Sequence, residues 1–575
     1  MCGITGIWNQ LDEAAVATMA RSVSHRGPDG LDWLTTDNSS LGASRLAISG
    51  DPAASAIYTD SEDEITVLFN GEIYNVTSLR AELIANGIAL HTDLESEIVA
   101  KLYKLHGPTF VKLLKGMFAI AIVTKDSLVL ARDRFGIKPL YYINAGDRVL
   151  FGSEIKAILA NPTIKARLNI RALEEIAVFG YVSSLVDTLF EGIKQVEPGS
   201  VTSFSSEGQS TVKFWETPKA YYSKEREHIP ITTAVRELRQ HIIDAVSTLL
   251  YHGGHPVGIY LSGGLDSTIL TLVAKALLGA QISTFTLADS PDNQDLVAAR
   301  EVAKKLDTKH IERLVTTDDC IEGLGHFVEH YESLVAGGVF DIYGGLAFHL
   351  LSKTVSKYVR VAFSGEGADE LFGGYYWTYT HPLGFADRIR NSLSTHTNGS
   401  HISEIVSALF PSPENKEVYR RNIFDALIRG GLANYHLQSV DRSAGAFGFE
   451  IRPPYLYDDL AEFALNLPIE YKVSDKHITK WILREAFKPE LESLGLGWIL
   501  NRPKEAMPSS IRKIACTVTD RLEGIIDDST LSQHPLGKYF DSKSEMYLYD
   551  LFADIFLNGE RLCPSTLHSS ANILP

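Results

Sequence analysis

Cys2 is the residue whose type and position first suggest chemistry, because it stands second in a chain that begins Met-Cys-Gly. If Met1 is removed, Cys2 becomes the first residue. Its own α-amine, which titrates at about pH 8, can then act as the base that activates the thiol. One residue would supply both the nucleophile and the base for acyl transfer. A cysteine near a chain end means little by itself, so this hypothesis depends on the motifs that follow.

Four polar motifs follow Cys2 in order along the chain. They are His25-Arg26-Gly27-Pro28-Asp29, Arg45-Leu46, Asn70-Gly71-Glu72-Ile73-Tyr74-Asn75 and the run from Arg132 to Tyr141. Together with Cys2-Gly3-Ile4, this ordered set resembles the class II glutaminase domain with an N-terminal nucleophile. The resemblance extends over essentially all of residues 1–200. It implies that this part of the chain releases ammonia from glutamine at Cys2.

The resemblance also implies roles for the residues around Cys2. Acyl transfer from the glutamine side chain builds an oxyanion, which needs hydrogen-bond donors. The family supplies them from an Asn side chain and a Gly amide, which are Asn70 and Gly71 in this chain. Arg45 matches the arginine that binds the α-carboxylate of glutamine, since a guanidinium can grip a carboxylate with two hydrogen bonds. Glu72 matches one of the carboxylates that hold the α-ammonium group.

The second ammonium-binding carboxylate departs from the family pattern. The family usually carries Ser-Asp-x-Glu, whereas this chain reads Thr92-Asp93-Leu94-Glu95-Ser96-Glu97. Aligning the helix that follows places Glu95 at the Asp position, with an arm that is one methylene longer. Asp93 is the alternative, if its side chain rotates toward the site.

A second group of candidate residues lies in a glycine-rich loop, Ser262-Gly263-Gly264-Leu265-Asp266-Ser267, between an apolar strand and a helix. Glycines let the backbone approach phosphates, and a helix N-terminus favours an anion. A tight turn of any α/β protein is the alternative interpretation. No Walker-type GxxxxGKS or GxxxxGKT string occurs in the chain, which disfavours that class of nucleotide site. The string instead resembles the pyrophosphate loop of ATP pyrophosphatases.

An acidic loop follows a later strand and reads Ser364-Gly365-Glu366-Gly367-Ala368-Asp369-Glu370. Ligands of α/β sheets bind at the carboxyl ends of the strands, where this loop is expected to lie. Capping of a helix by its acidic residues is the alternative interpretation. Together with the first loop, it resembles the asparagine synthetase family and, more distantly, the β-lactam-forming synthetases.

That resemblance implies ATP and Mg²⁺ as cofactors and assigns roles in both loops. Asp266 and Asp369 would hold Mg²⁺ against pyrophosphate, since Mg²⁺ prefers oxygen ligands and substrate phosphates. Glu366 would take the proton from ammonia as a general base. The nucleotide pocket would be formed by Leu261, Ser262, Gly263, Gly264, Asp266, Ser267, Leu287, Ser364 and Gly365.

Short charged motifs continue the match toward the C-terminus. They are Asp441-Arg442, the run from Glu450 to Tyr455, the run from Lys480 to Arg484, and Arg502-Pro503-Lys504-Glu505. Each alone could be a surface charge, but their order favours a functional interpretation of Lys504. It matches a lysine that neutralises charge in the adenylation transition state. From about residue 520 onward the resemblance fades.

The resemblance leaves the acceptor open. Asparagine synthetases recognise aspartate partly through an Arg and neighbouring Thr residues, and here Tyr343 stands at the arginine position and Phe340 at a threonine position. Without the guanidinium, a buried carboxylate of aspartate would be left unpaired. The acceptor would then be a bulkier, less anionic carboxylic acid, with Tyr343 and Glu370 in its pocket. A shifted alignment at the glycines 337, 338, 344 and 345 is the alternative, and it would keep aspartate as the acceptor.

The two halves together predict a glutamine-dependent, ATP-consuming amidotransferase. Ammonia released at Cys2 would travel internally to an acyl adenylate, giving an amide, AMP, pyrophosphate and glutamate. An ATP-dependent cyclising ligase with an inactive glutaminase half is an alternative, which the intact Cys2, Arg45 and Asn70-Gly71-Glu72 disfavour. A sugar-phosphate amidotransferase shares only the first half. A non-catalytic binding protein would have lost residues of the site.

The elements that must position these residues differ along the chain. Short β-rich runs dominate residues 1–205, with helices near 76–86 and 95–105. They predict an α+β domain with two antiparallel sheets packed face to face, which matches the αββα sandwich of Ntn hydrolases that the resemblance implies. Residues 206–230 are polar and contain proline, as expected of a linker.

From residue 231 to 520, helices alternate with strands. This alternation predicts an α/β domain with a doubly wound parallel sheet and a helical extension, and the resemblance makes it the synthetase domain. Residues 521–575 form a C-terminal extension to which the sequence assigns no role.

Composition limits the partners and the compartment. The net charge of −17 argues against nucleic acid and anionic membranes as partners. The cysteines show no CxxC spacing, so neither a zinc site nor a redox pair is indicated. The chain start lacks a basic segment followed by a long apolar one, which argues against a secretory signal. We expect a cytoplasmic protein whose partners are its small-molecule substrates, with a homodimer as the candidate assembly.

Overall fold

In the computed structural model, the chain is described over residues 2–51, 54–217, 229–334, 339–375, 402–404, 427–474, 476–503 and 507–557. Side chains are described for all of these except residues 339–343, 427–429, 507 and 508. No helix in these ranges combines the length and the apolar character needed to cross a bilayer.

Two antiparallel sheets of six strands each form the N-terminal half. The strands are β1 (Gly3–Trp8), β2 (Gly30–Thr35), β3 (Ser39–Arg45), β4 (Ile57–Asp60), β5 (Ile65–Ile73), β6 (Gly116–Val123), β7 (Ser127–Arg132), β8 (Tyr141–Asn144), β9 (Val149–Gly152), β10 (Lys194–Gln195), β11 (Ser200–Ser205) and β12 (Gly208–Lys213). The first sheet has the order β10-β8-β9-β1-β3-β2, and the second has the order β12-β11-β7-β6-β5-β4.

Strand β5 shows why these sequences form two layers. Alternate residues of a strand point to opposite faces. Val67 and Phe69 pack into a core with helix residues such as Leu79 and Leu102. Leu68, between them, packs into the core that separates the two sheets, with Ile4 and Leu41 of the first sheet among its partners. Strand β5 is therefore buried on both faces.

The N-terminal half also contains helices, some of which cover the outer faces of its sheets. They are α1 (Glu13–Ser22), α2 (Val76–Ala85), α3 (Glu95–His106), α4 (Ile155–Leu159) and α5 (Ile170–Phe179). Helix α1 packs on β1, β2 and β3, and α3 packs on β5. The predicted αββα sandwich is thus confirmed, and α2 and α3 lie where helices were expected. Residues 208–213, predicted to be linker, instead form the edge strand β12 along β11.

The C-terminal half contains a parallel sheet of five strands, as predicted. They are β13 (Val257–Tyr260), β14 (Ser283–Ala288), β15 (Lys309–Leu314), β16 (Val361–Phe363) and β17 (Glu450–Arg452). Their order is β15-β14-β13-β16-β17. The chain winds outward from β13 to β15 and then returns to the other side of β13, which is the doubly wound topology. The point where the order reverses lies between β13 and β16, and ligand crevices form at such points.

Helices surround this sheet and extend beyond it. They are α6 (Ile231–Tyr251), α7 (Leu265–Leu272), α8 (Gln294–Leu306), α9 (Thr317–Tyr331), α10 (Val339–Val355), α11 (Ala368–Phe372), α12 (Gln438–Gly445), α13 (Asp458–Asn466), α14 (Ile469–Lys472), α15 (Trp481–Ser493), α16 (Arg512–Ile525), α17 (Asp528–Gln533) and α18 (Lys543–Phe556). In α18, Phe552 and Phe556 pack with their ring centroids 5.3 and 5.4 Å from that of Phe190. The extension after residue 520 therefore joins the two halves.

Candidate active sites

Cys2 immediately precedes β1 and contacts both Asn70 and Arg26. The main-chain nitrogen of Cys2 donates to Oδ1 of Asn70 at 2.8 Å. Nε of Arg26 donates to the carbonyl oxygen of Cys2 at 3.1 Å. Cys2 is half-buried, and its thiol is free. The structure thus brings together the predicted nucleophile and the predicted oxyanion donor, which lie on different sheets.

Asn70 and Glu72 are two residues apart on β5, so their side chains point to the same face of the strand. Asn70 is fully buried. Its Nδ2 group has no hydrogen-bond partner among the described residues, although buried polar atoms are nearly always paired. Since Oδ1 already accepts from Cys2, the amide is left with its donors for another acceptor close to the nucleophile.

Gly71 lies between these two residues and must be glycine. Its φ of +150° is uncommon for other residues. A Cβ atom added to it would lie 2.0 Å from the carbonyl oxygen of Met117 on the neighbouring strand β6. The close approach of these strands therefore requires the glycine of the Asn-Gly-Glu motif.

Arg45 ends β3, and its guanidinium is held by the segment that follows. Nη1 donates to the carbonyl oxygens of Asp51 and Ala54, each at 2.5 Å. Nη2 donates to the carbonyl oxygen of Ser49 at 3.1 Å. The residue predicted to bind an α-carboxylate is thus bonded to main-chain oxygens here.

Glu72 and Glu95 approach each other, and a histidine of the C-terminal half approaches both. Nε2 of His252 lies 2.6 Å from Oε2 of Glu72 and 3.9 Å from Oε1 of Glu95. Glu95 also accepts from the main-chain nitrogen of Ile73 at 2.7 Å. Burial raises the pKa of Glu95 well above its usual range, and the charge of Glu72 raises it further. Two buried carboxylates side by side create a strong demand for a cation or a donor.

Asp93, the alternative second carboxylate, lies elsewhere. Its side chain is 90% exposed and 3.4 Å from Arg80. Glu95 begins α3 and is buried beside β5. The structure therefore places Glu95, rather than Asp93, next to Glu72.

A buried ionic network holds the nucleophile end of the first half against the second half. Arg26 donates to Glu154 at 2.8 Å and to Asp441 at 2.9 Å. Arg442 lies 3.2 Å from Glu154 and 2.9 Å from Glu332. Burial alone would raise the pKa of Glu154, but nearby cations, first Lys156 and then others such as Arg442, hold it well below its usual range. Removing one partner from such a network leaves an uncompensated buried charge.

The second candidate site begins in the loop between β13 and α7. The main-chain nitrogen and the Oγ atom of Ser262 each lie 3.2 Å from Oγ of Ser267. Ser262 Oγ in turn accepts from the main-chain nitrogen of Gly264 at 3.2 Å. Gly263 packs so closely on α8 that an added Cβ would lie 2.6 Å from Cβ of Ala298. The loop is a tight turn in front of a helix N-terminus, and such a place favours anions.

Leu261 and Leu287, the predicted apolar contacts of the nucleotide, flank this loop at the ends of neighbouring strands. Both are buried, at 1% and 2% exposure. The main-chain nitrogen of Leu261 donates to the carbonyl oxygen of Phe285 on β14 at 2.9 Å. The two leucines thus belong to the core beneath the loop.

Asp266 and Asp369, the predicted metal ligands, are brought together with Lys480 between them. Nζ of Lys480 lies 2.6 Å from Oδ2 of Asp266 and 2.7 Å from Oδ1 of Asp369. A Cβ added at Gly365 would lie 3.4 Å from Cβ of Asp266, so the glycine-rich and acidic loops face each other. Oδ1 of Asp266 is buried without a hydrogen-bond partner in the described part of the chain. This pair of carboxylates fits a hard cation such as Mg²⁺.

The rest of the acidic loop forms a cluster with a histidine. Tyr375 donates to Oε1 of Glu370 at 2.5 Å and lies 2.9 Å from Nε2 of His436. Nδ1 of His436 lies 3.6 Å from Oε2 of Glu366. At the start of the loop, the main-chain nitrogen of Ser364 donates to the carbonyl oxygen of Arg452 on β17 at 3.2 Å. The predicted base and the predicted acceptor-pocket residue Glu370 thus share one cluster.

Three predicted residues cannot be placed in this site. Lys504 lies outside the described residues, and the side chains of Phe340 and Tyr343 do as well, although both residues belong to α10. Other residues that contact the predicted sites were not assigned a role from the sequence, among them His436, Lys480 and His252. Lys480 begins the run from Lys480 to Arg484 that matches the family, and this match could have indicated a role for it. Nothing in the sequence around His252 indicates a contact with Glu72.

Comparison with known proteins gives two domain matches and many similar chains. Residues 1–215 match a model described as a glutamine amidotransferase domain, and residues 237–562 match one described as asparagine synthase. Among similar chains, asparagine synthetase [glutamine-hydrolyzing] 3 of Bacillus subtilis is 30% identical, over 89% of this chain and 87% of its own. Asparagine synthetase [glutamine-hydrolyzing] 1 of the same organism is 28% identical with the same coverage. The corresponding enzyme 2 of Arabidopsis thaliana is 28% identical over 89% of this chain and 79% of its own.

Proposed function

Because the chain belongs to the asparagine synthase family, we propose that it releases ammonia from glutamine at Cys2 and uses ATP to attach this ammonia to a carboxylic acid. It is a glutamine-dependent amidotransferase of the asparagine synthetase type, and thus a carbon–nitrogen ligase. The observation that carries the site proposal is the contact between Cys2 and Asn70. It puts Cys2, whose thiol is free, beside the buried side-chain amide of Asn70, whose Nδ2 group has no hydrogen-bond partner among the described residues.

The first reaction is acyl transfer from the glutamine side chain to the thiol. The Cys2 sulfur attacks the amide carbon while the α-amine, freed by removal of Met1, takes the thiol proton and passes it to the leaving nitrogen. Nδ2 of Asn70 and the main-chain nitrogen of Gly71 donate to the oxyanion. Water then hydrolyses the thioester, which releases glutamate and regenerates the thiol.

The ends of glutamine are held by opposite charges. Glu72 and Glu95 converge from β5 and α3, which suits an ammonium group that can donate three hydrogen bonds. Arg45 offers a planar donor pair for the α-carboxylate. To bind the α-carboxylate, Arg45 must give up some of its hydrogen bonds to main-chain carbonyl oxygens.

The second reaction activates the acceptor. ATP phosphates would lie on the loop of residues 262–267, above the buried Leu261 and Leu287, with Ser364 and Gly365 on the facing loop. Asp266 and Asp369 would hold Mg²⁺, which when bound neutralises phosphate charge. Lys480, now between these carboxylates, would be free to contact phosphate. Glu366 would take a proton from the attacking ammonia, and Lys504 would neutralise charge as the acceptor attacks ATP.

Aspartate is the first candidate acceptor, because the similar chains carry the name asparagine synthetase. A bulkier, less anionic carboxylic acid is the second candidate. Tyr343 and Phe340 favour it, since they stand where an arginine and a threonine would bind aspartate in the family. Pyrophosphate release that depends strongly on aspartate would contradict the second candidate.

An acceptor screen that measures glutamate and pyrophosphate together tests the whole proposal. We expect Cys2→Ala to lose glutamine-driven amide synthesis and to keep ammonia-driven synthesis. Cys516→Ala, which removes an exposed thiol far along the chain, is the matched control and should keep both. If Cys2→Ala uses glutamine as well as the wild type does, the assignment of the nucleophile is wrong.

A further inference from the structure

His252 belongs to the synthetase half, yet its side chain reaches the predicted glutamine pocket of the other half. It follows α6 directly, and its side chain is 12% exposed. Nε2 lies 2.6 Å from Oε2 of Glu72 and 3.9 Å from Oε1 of Glu95. A ring nitrogen of His252 therefore stands between the two carboxylates that would bind the α-ammonium group of glutamine.

The surroundings of this contact contain both signs of charge. On β17, Arg452 lies 4.0 Å from Oε2 of Glu72, and Glu450 holds Arg452 at 2.9 Å. The ring of Tyr74 packs edge-on against the imidazole with a centroid distance of 5.3 Å. Arg452 binds Glu450 through Nε, whereas its Nη2 group faces Glu72 from 4.0 Å, which is beyond hydrogen-bond distance. The short contact of Glu72 is therefore the one with His252.

Hydrogen bonds from Arg452 hold the main chain at His252, whereas the hydrogen bond of its side chain to Glu72 is made by Nε2 alone. Nη1 of Arg452 donates to the carbonyl oxygens of Leu249 and His252 at 2.7 and 2.9 Å. The next residue, Gly253, packs so closely that an added Cβ would lie 2.8 Å from the carbonyl oxygen of Ile48. Moving the imidazole away from Glu72 therefore needs rotation of one side chain and leaves the backbone in place.

We propose that His252 is a displaceable stand-in for the α-ammonium group of glutamine. In the free protein its Nε2–H group satisfies Glu72, and glutamine must displace this donor in order to bind. The inference rests on the proposed function of the glutaminase half. His252 is thus a specificity-determining residue that lowers affinity for glutamine, and it belongs to the half of the chain that consumes the ammonia.

The opposite end of the predicted pocket is satisfied in the same way. Arg45, predicted to bind the α-carboxylate, donates to three main-chain carbonyl oxygens. Both charged ends of the pocket therefore have partners from the protein itself. A ligand gains only the difference between its own contacts and those it replaces.

Calorimetry in a Cys2→Ala background tests the inference, because this background binds glutamine without turnover. We compare it with two double variants that add His252→Ala or His252→Gln. His252→Ala should tighten binding of L-glutamine by about fivefold to tenfold, since a hydrogen bond to a charged group no longer has to be broken. His252→Gln keeps an N–H donor of similar reach and should bind like the background. His252→Asn, with a shorter amide, replaces His252→Ala if that variant does not fold.

Binding of a second ligand distinguishes competition between His252 and the α-ammonium group from a general widening of the pocket in His252→Ala. 4-Carbamoylbutanoate is glutamine without its α-amino group, so its dissociation constant should not change in His252→Ala. Equal tightening for both ligands would overturn the inference, as would equal or weaker binding of L-glutamine. If L-glutamine fails to bind even the Cys2→Ala background, the glutamine pocket itself is wrong. With Cys2 intact, His252→Ala should lower KM for glutamine and leave kcat within about twofold, whereas general loss of structure lowers kcat.

Discussion

In the N-terminal half, Asn70, Gly71 and Glu72 follow one another on strand β5, so the geometry of the strand itself fixes their spacing. In the C-terminal half, Asp266, Asp369 and Lys480 come from three distant segments and meet at the edge of a parallel sheet. The Asn-Gly-Glu part of the first site is therefore set by backbone pairing. The second is set by loops, which tolerate change better than the strands that carry them.

The largest expected effect contrasts a glycine of each half. In Gly71→Ala the new Cβ would lie 2.0 Å from the main-chain oxygen of Met117, so two paired strands must separate. In Gly264→Ala the nearest atom is Oγ of Ser262 at 3.2 Å, a side chain that can rotate. We expect Gly71→Ala to cost more than about 3 kcal/mol and to abolish glutamine use. Gly264→Ala should melt within a few degrees of the wild type.

Melting temperature and glutaminase activity of the two variants check this contrast. Gly264→Ala should still release glutamate from glutamine, since the change lies in the other half. A Gly71→Ala variant that folds and hydrolyses glutamine normally would show that backbone pairing does not fix the first site.

The second largest expected effect is a loss of stability when Arg26, at the boundary between the two halves, is replaced. Arg26 is fully buried and binds Glu154, Asp441 and the carbonyl oxygen of Cys2. Arg26→Met leaves Glu154 and Asp441 without this cation, which should cost about 3–5 kcal/mol. Arg300→Met is the matched control, because Arg300 forms an exposed pair with Glu312 and such pairs contribute about 1 kcal/mol or less. Thermal unfolding of both variants measures the difference. Similar losses would mean that the buried network does not hold the halves together.

The same contrast explains how much could be read from the sequence. Asn70, Gly71 and Glu72 are adjacent along the chain, and aligning the helix after Thr92 pointed to Glu95. The sequence left Asp93 open as the alternative, and only the fold shows Asp93 exposed and Glu95 buried beside β5. Strand β12 was missed because its polar residues resemble a linker, although its backbone completes a sheet edge. The contact of His252 with Glu72 depends on how two domains dock. No local pattern records that docking, so the residue between the carboxylates could not be predicted.

The smallest expected effect concerns Glu95, whose charge is costly in the free protein. Burial and the charge of Glu72 hold its folded pKa well above the usual value. The folded state therefore binds this proton more tightly than the unfolded state, and stability is lost as pH rises through the raised pKa. Glu95→Gln removes the charge and keeps an oxygen that can accept from Ile73. We expect its melting temperature at pH 8 to exceed that of the wild type by a few degrees, and the gain to shrink at pH 5.

Glu95→Gln should bind glutamine more weakly, although it is more stable. The pocket would lose one of its two negative charges, while His252 still satisfies Glu72. A higher melting temperature with a higher KM for glutamine would show that the first half keeps a destabilising carboxylate for its ligand. Ser96→Ala, the next residue of α3 and also buried, is the matched control and should leave KM unchanged. A Glu95→Gln variant that is less stable at pH 8 would mean that Glu95 is favourably paired in the free protein. The glutamine pocket would then lack an uncompensated negative charge. It would resemble the site at Asp266 and Asp369, where Lys480 already neutralises both carboxylates.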